Sequence, residues 1–187
     1  MSLTDVDWSK LPAPEDDGTA ARFEGMTLPP LDLAATDGSK VQLADLTGTS
    51  VVYIYPKTGQ PGVPLPDGWD MIPGARGCTP QSCAFRDHFK ELSALGADHI
   101  FGLSTQSTAY QVEAVERLHL PFPLLSDVNL TFTNALDLPS FEADGQTLLK
   151  RLTLIVRDGV VIKAFYPVFP PDRNAADVMA WLEENQA

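Results

Sequence analysis

The sequence predicts an α/β fold, a central mixed β-sheet flanked by helices, and three observations carry that expectation. Ser50-Val51-Val52-Tyr53-Ile54-Tyr55 is a near-continuous β-branched and aromatic run, the pattern of a strand buried on both faces. Ile100–Ser104 reads as a second central strand, and between the two Phe85, Phe89 and Leu92 recur at helical spacing. Downstream, Leu148–Val156 and Val160–Tyr166 flank Arg157-Asp158-Gly159, whose Asp-Gly pair favours a tight hairpin turn. At 187 residues the chain is long enough for one domain with a real core.

Composition narrows the class. Hydrophobic content of 44% and charged content of 20% belong to a globular protein. No cationic segment precedes an apolar run, so no signal peptide is expected, and no stretch is long enough to span a membrane. A net charge of −12 argues against nucleic acid or anionic lipid as a partner, because both need a positive surface. The expected location is cytoplasmic. Two cysteines close together there read as redox or metal chemistry rather than a structural staple. Metal is the weaker choice, since His88 alone lies near them and no second ligand pair follows.

In chain order, residues 1–25 form an acidic arm that Trp8 and Leu11 could anchor on the body, with a poorly ordered tail as the alternative. Residues 26–187 form the single domain. Asp37-Gly38 is a turn signal between Leu31–Leu33 and Lys40–Leu43. Pro56 ends the first central strand. From 57 to 77 the composition shifts to five Gly and four Pro, with Trp69 placed to pack the segment down. A long irregular segment inside a compact domain is uncommon and often functional. A lid, a partner-binding surface and a plain surface elaboration all fit it. Thr108–Gln111 has the spacing of a capping box, followed by a stripe of Val112, Val115 and Leu118. Pro121–Ser126 is a short apolar run, and a short helix is expected over Val128–Leu136. After Pro170-Pro171, Asn174 is placed to cap a last helix with Val178, Trp181 and Leu182 on one face. Strand–helix–strand–helix, then a hairpin and a helix, is a thioredoxin-like order.

Both cysteines fall in Gly77-Cys78-Thr79-Pro80-Gln81-Ser82-Cys83-Ala84-Phe85-Arg86-Asp87. Thr79 is placed to act as N-cap and Pro80 as first helical residue, which puts Cys78 just ahead of a helix N-terminus. Unpaired backbone donors and the positive end of the dipole favour an anion there, and a thiolate is an anion. Arg76 adds a nearby positive charge. A single cysteine at this place would read as a small buried hydrophobe. Two of them flanking the first turn favour thiol chemistry.

That stretch resembles the active-site run of the Q-type peroxiredoxins, the bacterioferritin comigratory protein group, which reads Gly-Cys-Thr-x-Gln/Glu-x-Cys-x-Phe-Arg-Asp. The likeness extends from about Leu31 to Leu182, and it is specific at Cys78–Asp87. It implies that Cys78 is the peroxidatic cysteine and Cys83 the resolving one. Lys150-Arg151-Leu152-Thr153-Leu154-Ile155 resembles the family's His-Arg-x-Ser-Phe-Leu-Ile segment, which implies that Arg151 helps to hold the cysteine and the peroxide. Strand alternation agrees: Leu152, Leu154 and Val156 share one face, Arg151 and Thr153 the other. A surface ion pair is the plainer reading of Arg151. The family also reads Pro-x-x-x-Thr/Ser-x-x-Cys. Pro56 matches the proline by its strand context, but Ala75 stands three before Cys78, and the connection from 57 to 77 is longer than the family's. Thr58 and Arg76 are therefore further candidates for positioning the peroxide. His88 reads as a partly exposed helix residue, and Tyr53 and Tyr55 as core.

The resemblance implies a thiol peroxidase that needs no bound cofactor or metal. Its Cys78 becomes a sulfenic acid and its Cys83 condenses with it, after which a thioredoxin-type dithiol reduces the disulfide. The alternative is a thioredoxin-fold redox sensor or binding module using the same cysteine pair, and the absent threonine favours it. On one regular helix the two cysteines would be separated by roughly 7.5 Å of rise and 140° of rotation, putting their Cα atoms roughly 8.6 Å apart. A disulfide tolerates at most about 7 Å, so the first turn is expected to unwind on oxidation.

Overall fold

The computed structural model describes residues 5–186. A 3₁₀ turn, Trp8–Lys10, and a short helix α1, Ala20–Phe23, precede the sheet. Phe23, within the stretch expected as an arm, is fully buried in the main core. The hairpin β1 (Leu33–Ala35) and β2 (Lys40–Val41) forms around Asp37-Gly38, where Gly38 takes the positive φ that the turn requires. Strand β3 spans Thr49–Ile54, with every residue buried. A 3₁₀ turn at Trp69–Met71 interrupts the irregular segment that follows. Next come α2 (Cys78–Asp87), α3 (Phe89–Ala94), β4 (Ala97–Ser104), α4 (Thr108–Leu118), β5 (Leu124–Ser126) and α5 (Thr131–Leu136). The chain closes with β6 (Ser140–Ala143), β7 (Gln146–Leu149), β8 (Leu152–Arg157), β9 (Val160–Phe165) and α6 (Asn174–Glu184).

Seven strands make one sheet in the order β2-β1-β5-β4-β3-β8-β9. Pairings β3–β4 and β4–β5 are parallel and the others antiparallel, so the sheet is mixed, as expected. Because side chains alternate across a strand, β3 divides the core between the two faces. Val52 and Ile54 pack on one side with Phe23, Leu103 and Leu154. Val51, Tyr53 and Tyr55 pack on the other with Phe85, Ile155, Val178 and both cysteines. Tyr53 stacks on Phe85 at 4.5 Å between ring centroids with 7° between planes, which presses α2 onto the strand. Its hydroxyl also donates to Ser82 Oγ at 3.0 Å.

Four local expectations are corrected. The N-cap of α2 is Gly77, not Thr79, because the Gln81 N–H bonds Gly77 O at 3.0 Å and closes the first turn. Pro80 is therefore the third helical residue, still within the turn whose N–H groups have no helical acceptor. Helix α4 is capped by Ser107, whose hydroxyl accepts from Tyr110 N, while Gln111 turns inward to Ser104 Oγ and Leu125 O. The stretch expected as one strand from Leu148 is two, because β6 and β7 form a separate hairpin around Asp144-Gly145. Asn174 begins α6 but does not cap it, since its side chain is bound elsewhere.

Candidate active site

Cys78 is the first residue of α2, not the residue before it, and it is buried. Gly77 ahead of it adopts φ 114°, a conformation that a side chain would strain. A Cβ there would also come within 2.7 Å of both Pro171 Cγ and Trp8 Cη2. Glycine is thus required twice over, by backbone and by space.

Arg151 stands one residue before β8, where the alternation of that strand aims it at α2 and away from Leu152 and Leu154. It is only 3% exposed. Its Nη2 donates to Cys78 Sγ at 3.3 Å and also reaches the carbonyls of Gly74, Ala75 and Arg76, at 3.2, 3.1 and 3.4 Å. Its Nη1 donates to Gln81 Oε1. Gln81 in turn donates to Asn174 Oδ1 at 3.0 Å, and Thr153 Oγ1 donates to the same oxygen at 2.6 Å. Among the described residues no carboxylate pairs with Arg151. Carbonyl and amide oxygens hold the buried guanidinium, and the Cys78 sulfur is the nucleophilic atom that it touches.

The other site candidates fall in different places. Arg76 is exposed and ion-paired to Asp70 at 2.6 Å, and both side chains line the cavity that contains Cys78. Pro56 is buried at the end of β3. Thr58 is fully buried, but its hydroxyl and its N–H both donate to Gln106 Oε1, at 3.3 and 3.1 Å. Ala75 is fully buried too, and its carbonyl accepts from the Cys78 thiol at 3.7 Å as well as from Arg151. Position 75 thus presents the sulfur with no side-chain hydroxyl, only the backbone carbonyl that any residue there would offer.

The segment from 57 to 77 packs down as Trp69 was placed to do. Trp69 is buried with Ala75, Ala143 and Leu148, its ring 6.1 Å from Phe141 of β6. The same segment walls a cavity of about 230 Å³ in which Cys78 and Thr79 are lined with Lys57, Leu65, Trp69 and Pro80. The first N–H groups of α2 have no intrahelical acceptor, so this cavity is the place where an oxygen could meet donors beside the sulfur.

Cys83, one turn further along α2, is buried, and this burial pushes its thiol above the ordinary cysteine value, with Arg86 opposing. Both cysteines are free thiols. They lie on one continuous helix, which places their Cα atoms about 8.6 Å apart by helix geometry, too far to bridge. Gln81 and Asn174 are site residues that sequence reading passed over, one as part of a helix and the other as a cap.

Known proteins resemble this chain over most of its length. The Redoxin family model matches residues 23–179. Peroxiredoxin Q of Sedum lineare, a chloroplastic protein, is 30% identical over 86% of this chain and 77% of its own length. The peroxiredoxin bcp of Coxiella burnetii is 29% identical over 84% of this chain and 97% of the relative. Among solved structures, Peroxidoxin BcpB from Mycobacterium tuberculosis superposes with a TM-score of 0.70 at 25% identity, covering 88% of this chain and 98% of that one. Xanthomonas campestris peroxiredoxin Q gives 0.67 at 25% identity, covering 86% and 96%.

Proposed function

The chain belongs to the redoxin family as a Q-type peroxiredoxin and is a thiol-dependent peroxidase, and from that premise we propose that Cys78 is the sulfur that peroxide oxidises and Cys83 the one that resolves it. The observation that carries the assignment is the contact between Arg151 Nη2 and Cys78 Sγ, made at the first residue of a helix.

The Cys78 thiolate attacks the near oxygen of the peroxide, forming an S–O bond as the O–O bond breaks. The departing oxygen takes the electron pair and a proton and leaves as water or an alcohol. Arg151 donates to the attacking sulfur, and Cys78 and Thr79, whose N–H groups have no intrahelical acceptor, line the cavity in which the oxygen's charge develops. Thr58 lies between Lys57 and Gly59, which line the cavity, and its buried hydroxyl donates to Gln106 Oε1. The sulfenic acid on Cys78 is then attacked by Cys83, which forms the disulfide and releases water. Because the helix keeps the sulfurs apart, the first turn of α2 opens before that step. Two thiols of a reductant return both cysteines by exchange and become a disulfide themselves.

The substrate is a peroxide and the electron donor a thiol, and a thioredoxin-type dithiol in the cytoplasm is the donor we favour. Residues 26–187 serve as one catalytic domain, 1–25 as an arm upon it, and 57–77 as an insertion that completes the cavity. No helix of the described residues is long and apolar enough to cross a membrane. The reading is tested by peroxide-dependent oxidation of a thioredoxin system, run with hydrogen peroxide and with an organic hydroperoxide. Sustained turnover that needs Cys78 is expected. One stoichiometric oxidation and no turnover would favour a sensor.

A further inference from the structure

Val6, Trp8 and Pro14 of the N-terminal arm make contacts at the base of the Cys78 turn. Trp8 lies edge-on to Phe169, 6.1 Å between centroids, and its indole N–H donates to Asp172 Oδ2 at 2.9 Å. Its ring also closes over Gly77, so that the N-cap of α2 is held between Trp8 and Pro171. Val6 lines the cavity that contains Cys78. Pro14 lies against Gly74, whose carbonyl accepts from Arg151. Between these points Asp5, Asp7, Ser9 and Lys10 are exposed. The arm therefore touches the body where the helix begins, and Trp8 lies outside the buried clusters of the core.

The two halves of the reaction ask opposite things of that place. Attack on peroxide needs Gly77–Cys78 in its helical geometry, with the sulfur against Arg151. Disulfide formation needs the same turn open. A group that clasps Gly77 in the closed form favours the first and opposes the second. We propose that Trp8 is a positioning residue which, through Gly77, holds the Cys78 turn in its peroxide-reactive form and delays its opening toward Cys83. The inference rests on the assignment of Cys78 and Cys83 made above.

The test separates the two half-reactions in the full chain by rapid mixing. The peroxide-dependent phase reports attack, and the peroxide-independent phase reports disulfide formation. Trp8→Ala should slow the first and speed the second, the second by about tenfold, the low end of what one hydrogen bond to a charged group contributes. The fraction of Cys78 driven to sulfinic acid by excess peroxide should fall, because the sulfenic acid is resolved sooner. Trp8→Phe keeps a ring over Gly77 and should give a smaller shift. Asp172→Ala frees the indole without shortening the arm, and should move the phases in the same directions. Both phases slowed together, or neither changed, would overturn the proposal and leave Trp8 a packing residue. A wild-type protein that never forms the disulfide would instead overturn the assignment of the cysteines.

Discussion

Arg151 Nη2 and Cys78 Sγ lie 3.3 Å apart, 73 residues distant in sequence and both buried. That nitrogen also holds three successive carbonyls, of Gly74, Ala75 and Arg76, so one side chain binds the sulfur and the loop that leads to it. One guanidinium therefore fixes both the loop and the sulfur.

Replacing Arg151 by Met keeps the length of the side chain and removes its charge and donors. Peroxide attack should slow on the order of 10²-fold, as when one preorganised charge-stabilising donor is removed. Stopped-flow rates at several peroxide concentrations check this. An unchanged rate would make Arg151 a structural residue.

Gln81→Ala removes the group that links Arg151 to Asn174. It leaves polar atoms of both partners unsatisfied inside the fold, at a cost of about 1–3 kcal/mol. Urea unfolding should show that loss, and the peroxide-dependent rate should fall with it. A double variant with Asn174→Ala should cost less than the sum of the two single changes, since the residues share one network.

Burial pushes the thiol of Cys83 and the phenol of Tyr53 above their ordinary values. Both groups are neutral in folded and unfolded chains at neutral pH, so their share of stability is complete there. As pH rises past about 9 and then 10, the ordinary thiol and phenol values, the unfolded chain loses protons that the fold retains. Stability should therefore fall with rising pH in that range. Urea midpoints at pH 7.5 and pH 10 test the sign, and Cys83→Ala should reduce the slope.

Oxidation should open the first turn of α2. Amide exchange from Gln81 to Phe85 should quicken when the disulfide forms, while β3 and β4 keep their protection. A disulfide formed with unchanged protection there would mean that the helix does not unwind.

How much of this was legible in the sequence depended on the range of the interactions. Ser50–Tyr55, Ile100–Ser104 and the Asp158-Gly159 hairpin were readable because each is set by its own local pattern. Arg151 was readable because the alternation of Leu152, Leu154 and Val156 fixed the face opposite. The Gly77 cap was missed because Thr79 and Pro80 make an equally good local start, and only the space left by Trp8 and Pro171 requires glycine at 77. Gln81 and Asn174 lie 93 residues apart, and no local pattern joins them. The setting of Thr58 depends on Gln106, 48 residues on, which accepts from its hydroxyl and its N–H, and no local pattern joins the two.

The division of labour between the two cysteines is tested most directly by mass spectrometry of the single variants after peroxide treatment. In Cys83→Ser, Cys78 should gain one oxygen and then, with excess peroxide, more. In Cys78→Ser, Cys83 should stay reduced, as a buried thiol without an Arg151 contact. Oxygen collected by Cys83 in Cys78→Ser, with Cys78 untouched in Cys83→Ser, would reverse the assignment and contradict the account.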